Sequence, residues 1–492
     1  MKLRKLLALV LSLAMAMSLA ACGGSNGTTT DDTNNQPEAS SSAVADASTP
    51  DASASTPDAS EDVASIAPTS QVAVVEGCDW GPAVTKTIVP LEQAVTPESV
   101  TVDSFTVVET KESFNWASVA EGSTEDPTVH ITATADRTVT AAYTCDAEGN
   151  QVDTASSYVA LEMSYDPNNG SPFCYDLLTS KNTWCTPYEL AVSLAEGQTL
   201  TAEDGSEVSE LNVDPAIDWA NAQMPDLEGI DLTGTFTGSD GKTLCYASYA
   251  PADASESNKK PLVIWLQGAG EGGEDPTILL LGNKVSALVG DEFQSAMGGA
   301  YVLTPQTPEF WLCYDEEGNW SDNPGVDSIY LNTLKELIDN YVAENPGVDA
   351  DRIIIGGCSN GGYMTMDMIL NYPDYFAAAY PICEAYADAG ITDEQLEGIK
   401  DLPIWFVYAE NDTTVLPETY EAPTIERLKA LGASNLHTSI FEDVHDTTGL
   451  YTDENGDAYQ YMGHWSWLYF FNNECVDENG VNLWSWMAEQ SK

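Results

Sequence analysis

Arg352-Ile353-Ile354-Ile355-Gly356-Gly357-Cys358-Ser359-Asn360-Gly361-Gly362 joins a β-branched apolar run to a glycine-rich corner, and a helical segment follows from Gly362 to Asn371. Gly357 to Gly361 fits G-x-S-x-G. In that arrangement the glycines permit a sharp turn and close packing, while the serine projects its hydroxyl from a strained backbone. The bare pattern is weak evidence, because Gly23-Gly24-Ser25-Asn26-Gly27 also fits it within a polar stretch. What separates the two is context: only the second has a buried strand before it and a helix after it. Ser359 is therefore the candidate nucleophile.

Working outward from this corner, apolar runs recur at 262–266, 300–304, 377–382, 404–408 and 436–441, with helical segments at 328–344 and 420–431 between them. Continuous apolar strands alternating with amphipathic helices predict an α/β domain, a mainly parallel sheet flanked by helices, over residues 229–492. Leu232 to Ala250 reads as an antiparallel hairpin at its entrance, turning at Ser239-Asp240-Gly241. In such sheets catalytic groups sit on loops at the carboxyl ends of the strands.

With strand, corner and helix in that order, residues 229–492 resemble the α/β-hydrolase superfamily. Within it, Leu266-Gln-Gly-Ala-Gly-Glu-Gly-Gly273, the Ser359 corner and His464-Trp-Ser-Trp467 look like those of the feruloyl-esterase, polyhydroxybutyrate-depolymerase-like and prolyl-oligopeptidase-like esterases. The resemblance implies an oxyanion hole made by the N–H groups of Ala269 and Asn360, with Gln267 standing where a histidine is usual. It implies Asp412, in Asp412-Thr-Thr-Val415 after the run 404–408, as the carboxylate that orients the histidine. Glu410 and Glu384 are competing acids.

The chain order Ser, Asp, His then requires a late histidine, and of four in the chain only His445 and His464 qualify. His445 follows the run 436–441 closely. His464 lies where a polar excursion through Asp453-Glu-Asn-Gly-Asp457 returns, and Gly463-His-Trp-Ser-Trp467 matches the family's histidine loop, so His464 is the expected base and His445 the alternative. Such a site performs acyl transfer and requires no cofactor. The cysteines show no zinc-site spacing, so no metal is expected.

Residues 72–228 read differently, as short β-branched strands at Ser99–Val102, Phe105–Val108, Thr128–Ala133, Arg137–Thr144 and Tyr158–Met163, with a turn at 146–150. This predicts a small all-β immunoglobulin-like sandwich. Residues 23–71 are a Ser/Thr/Ala/Asp/Pro tether that cannot bury enough apolar surface to offset its ordering entropy. Residues 1–22 are basic, then apolar, then end in Leu19-Ala-Ala-Cys22, which resembles the lipobox of bacterial lipoproteins and implies lipidation of Cys22. The expected address is extracellular, with the chain held on the bacterial cell membrane by that lipid alone.

The chain carries 17 basic against 78 acidic residues, a net charge of −61, which excludes nucleic acid as a partner and disfavours polyanionic substrates. Ten cysteines in an exported chain permit disulfides, and Cys174 with Cys185 are spaced as a hairpin bridge would be. Trp311, Trp320, Trp465 and Trp467 fall in loops near strand ends, where they could stack on an aryl acid or a sugar. The expected function is a surface-anchored serine carboxylesterase acting on small-molecule or polysaccharide-linked esters, with feruloyl or acetyl esters of plant polysaccharides as candidates. A prolyl-oligopeptidase-like serine peptidase and a catalytically inactive binding lipoprotein are the alternatives.

Overall fold

The computed structural model describes residues 69–119, 123, 125–126, 128–312 and 326–492. The expected signal and lipidation site at Cys22, the tether as far as residue 68, and Trp320 lie outside the described residues. Among the described residues no helix is long and apolar enough to cross a membrane.

Two antiparallel sheets come first. One runs in the spatial order Val72–Cys78, Gly81–Val95, Ser156–Met163, Val139–Cys145, and the other in the order Tyr188–Leu194, Phe105–Ser113, Ile131–Arg137. Arg137–Thr144, expected as one strand, is divided between them. The reason is Arg137 itself, whose buried guanidinium bonds Glu109 at 2.5 Å and the carbonyls of Val84 at 2.7 Å and Ser164 at 3.1 Å. A buried cation needs that full set of partners, and the chain crosses from one sheet to the other where it gathers them. Ser99–Val102, expected as a strand, instead spans parts of two 3-10 turns, Pro97–Ser99 and Val102–Ser104. Pro97 starts the first, and a capping box between Thr101 and Ser104 starts the second.

The second half is built on one eight-stranded sheet. Its strands in chain order are β1 (Asp231–Thr237), β2 (Thr243–Tyr249), β3 (Lys260–Leu266), β4 (Tyr301–Gln306), β5 (Val348–Cys358), β6 (Ala378–Ile382), β7 (Ile404–Ala409) and β8 (Leu436–Phe441). They lie in the order β1-β2-β4-β3-β5-β6-β7-β8, antiparallel at the first two pairings and parallel from β4 onward. Strands β3, β4, β6 and β7, and β5 from Ile353 onward, are almost wholly buried, as their largely apolar sequences require, because helices cover both faces. The helix Asn360–Asn371 packs on β5 and β6 with every residue from Asn360 to Leu370 buried, leaving Asn371 at its exposed end. This is the α/β-hydrolase arrangement preceded by an immunoglobulin-like sandwich.

Candidate active site

Strand β5 delivers Cys358 to the sheet end, and the chain turns at Ser359 into the helix Asn360–Asn371. Ser359 holds φ 55° and ψ −114°, a conformation a side-chain-bearing residue rarely adopts. Its N–H donates to the Ile382 carbonyl at 2.9 Å, so the strained corner is tied to β6.

The loop after β7 turns around Asp412. One carboxylate oxygen accepts the N–H groups of Thr414 at 2.7 Å and Val415 at 3.0 Å; the other bonds His464 Nδ1 at 2.6 Å. Both side chains are buried, 2% exposed for His464 and 0% for Asp412, so the pair is shielded from water and its geometry is fixed. Trp467 sets its ring edge-on to the imidazole, 5.6 Å between centroids. Gly463 is what allows the approach: a side chain there would begin 2.1 Å from Asn411 Oδ1 and 2.6 Å from the Asn411 carbonyl. No periodicity or motif marks that close crossing of two loops separated by fifty residues.

Ser359 and His464 line one pocket of about 80 Å³, and Gly268 and Ala269 form part of its wall. Ala269 opens a short 3-10 turn, Ala269–Glu271, directly after β3. Gln267, in the place of the usual histidine, anchors this loop by an amide: its Oε1 accepts the Thr307 N–H at 3.1 Å. Asn360 is fully buried beside Ser359, its Oδ1 accepting the Leu312 N–H at 2.8 Å, and as the first residue of a helix its own N–H has no intrahelical acceptor.

The other histidines are held elsewhere. His445 bonds Asp443 at 2.6 Å on a half-exposed loop, His437 bonds Asp477 at 2.9 Å, and His130 bonds Glu112 at 2.8 Å; none of them lines the pocket. Of the competing acids, Glu410 is exposed, while Glu384 is buried and accepts the Tyr386 N–H at 2.5 Å. Of the four tryptophans, Trp465 and Trp467 line the pocket and Trp311 is inaccessible in the core.

Much of the opposite wall comes from the first half of the chain. Asp79, Trp80, Gly81 and Pro82 reach it from the turn between Val72–Cys78 and Gly81–Val95, Ser113 and Phe114 from the end of Phe105–Ser113, and Phe173, Cys174 and Tyr175 from a hairpin. That contribution has no signature in the sequence, because it arises from the docking of segments far apart in the chain. Cys174 and Cys185 carry free thiols, and Cys174 is made more acidic by a hydrogen bond from the Cys185 thiol and by His130. Among the described residues no cluster of three metal-ligating side chains occurs.

Comparisons with known proteins match this architecture. Residues 70–209 match the esterase Ig-like N-terminal domain, and residues 249–450 match the phospholipase/carboxylesterase family. The solved structure of a thermostable esterase superposes with a TM-score of 0.64 at 23% identity, over 86% of this chain and 99% of that one. Esterase Est22 aligns over 46% of this chain and 75% of its own, at 16% identity and a TM-score of 0.32. The poly(3-hydroxyalkanoate) depolymerase C of Paucimonas lemoignei is 42% identical over 50 residues, 10% of this chain. The match spans 12% of that relative's length.

Proposed function

The chain is an α/β-hydrolase of the esterase type with an immunoglobulin-like N-terminal domain, and from that premise we propose that it is a serine carboxylesterase. The Ser359 hydroxyl attacks the ester carbonyl while His464 takes its proton and Asp412 stabilises the imidazolium. The N–H groups of Ala269 and Asn360 receive the developing oxyanion. His464 returns the proton to the leaving alcohol, and water repeats the cycle to free the acid. The observation that carries this reading is the buried 2.6 Å bond between His464 and Asp412 in a loop that also faces the strained Ser359 across one pocket.

The substrate class is an ester with a short acyl group such as acetyl. A pocket of about 80 Å³ is smaller than the roughly 150 Å³ apolar cavity that takes up a benzene ring in an engineered protein. Feruloyl esters are therefore the second choice, and acetyl groups carried on a polysaccharide stay within the proposed class. The enzyme stands outside the cell on a lipid at Cys22. The test runs nitrophenyl acetate, methyl ferulate and an aminoacyl nitroanilide in parallel, with fluorophosphonate labelling of wild type and Ser359→Ala. Labelling that persists in Ser359→Ala, or anilide cleavage without ester cleavage, overturns the proposal.

A further inference from the structure

We infer that Glu271 is a specificity-determining residue that reads a hydroxyl on the acyl group, so that the site selects short hydroxyacyl esters over their plain counterparts. The inference rests on the esterase reading above.

Glu271 ends the turn that begins at Ala269, and it lines the same pocket as Ser359 and His464. In a chain so acidic a loop carboxylate belongs in water, yet Glu271 is only 3% exposed. Its place is cleared by two glycines: a side chain on Gly268 would begin 2.8 Å from its Oε2, and one on Gly282 3.2 Å from its Cγ. No basic group balances it, since none of the ion pairs among the described residues includes Glu271. Its titratable neighbours are neutral, with the Cys358 thiol pushed well up and the Tyr175 hydroxyl raised to about 12, both mainly by burial. The N–H groups of Gly268 and Glu271 and the Asn283 amide face the carboxyl, but Oε2 has no hydrogen-bond partner among the described residues.

A buried polar atom without a partner costs stability, and at the wall of a catalytic pocket the missing partner is supplied by what binds there. Burial lifts the Glu271 carboxyl to about 7, against the pull of those donors, so near neutrality both protonation states are populated. A carbonyl or ether oxygen pairs only with the acid, and an ammonium pairs far better with the carboxylate. A hydroxyl pairs with both, accepting from the acid and donating to the carboxylate. The acyl half is the half in question, because it stays in the pocket through the covalent intermediate while the alcohol departs. A site built to hydrogen-bond a substrate hydroxyl also discriminates strongly against the analogue without it.

The experiment measures kcat/KM by pH-stat for ethyl glycolate against ethyl acetate and ethyl lactate against ethyl propionate, each normalised to the hydroxide-catalysed rate of the same ester. For wild type at pH 7 the hydroxy ester is expected to win by at least about tenfold. Glu271→Leu brings the ratio to about one. Glu271→Gln, which keeps a donor and an acceptor in the same volume, retains most of the preference and guards against a variant that fails to fold. A wild-type ratio near one with ready turnover of acetate overturns the inference and leaves the esterase standing, as does a preference that survives in Glu271→Leu. Failure of wild type to cleave any of the four esters overturns the esterase reading, and this inference with it.

Discussion

Ser359 keeps a backbone conformation that costs about 1–3 kcal/mol, held by its N–H bond to Ile382 of β6 and by the Tyr363 N–H on its carbonyl. Ser359→Ala leaves that geometry in place and removes only the hydroxyl, so the variant should fold normally and lose at least about a thousandfold in turnover. Circular dichroism and nitrophenyl acetate kinetics check both halves. The two late histidines should separate as cleanly. His464→Ala removes the buried partner of Asp412 and should lower turnover by at least about a thousandfold, whereas His445→Ala, on its exposed loop with Asp443, should stay within about threefold. A reversal of the two results would reassign the base. Glu271 gives a pH signature of its own. Its folded pKa of about 7 lies above the ordinary 4.5, so between these values the unfolded chain has lost a proton that the folded chain keeps. Stability attributable to this group therefore falls as pH rises through that window and stays lost above it. Glu271→Gln does not titrate. The stability difference between wild type and variant, followed by urea unfolding, should shift by on the order of 3 kcal/mol between pH 4 and pH 8. A constant difference would show that the carboxyl ionises normally.

At the scale of elements, the strand, corner and helix around Ser359 were legible because they are contiguous: each signal sits within a few residues of the next. The same contiguity made the parallel strands readable, while the short helices Pro276–Gly282, Asp291–Met297 and Asp393–Ile399 were missed for want of two full turns of periodicity. Strand ends in the first half were misjudged where one buried side chain, Arg137, overrode β-propensity. What the sequence could not display is the crossing of the loop after β7 by the loop that carries His464. That crossing depends on Gly463: in Gly463→Ala the new Cβ would lie 2.1 Å from Asn411 Oδ1 and 2.6 Å from the Asn411 carbonyl oxygen, far inside contact distance, so the two backbones must part by about an ångström. The imidazole then leaves its place over Asp412. Since a misplacement of that size costs about a hundredfold in rate, Gly463→Ala should lose kcat by about that factor with little change in the far-ultraviolet spectrum. Wild-type kcat in this variant would mean that the two loops move together.

On the scale of the whole molecule, the pocket belongs to neither half of the chain, and neither does one of its core clusters, although a second, from Leu244 to Leu428, lies wholly in the catalytic half. One continuous cluster of buried side chains runs from Ala73, Val84 and Trp80 in the sandwich through Val263, Leu280 and Leu288 to Phe470 and Trp484. Polar ties cross the same boundary: Asp79 accepts from Lys284 at 2.8 Å and from Asn472 at 2.7 Å, and Trp184 donates to Asp275 at 3.0 Å. Composition marked two regions of different pattern, but it said nothing of this junction, since an apolar residue reads the same whether its partner lies in its own sheet or in another. The junction makes a thermodynamic demand. Were the halves to unfold separately, the first to go would expose the other's share of the common cluster, so each depends on the other's being folded. Full-length protein should therefore melt in a single transition, coincident by tryptophan fluorescence, which samples both halves, and by far-ultraviolet circular dichroism. Asp79→Ala removes a buried acceptor from two donors and should lower the whole transition by about 1–3 kcal/mol rather than split it. Two resolved transitions in wild type would show that the sandwich is an independent neighbour of the catalytic sheet, and activity surviving the first of them would show that the pocket does not need the wall it supplies.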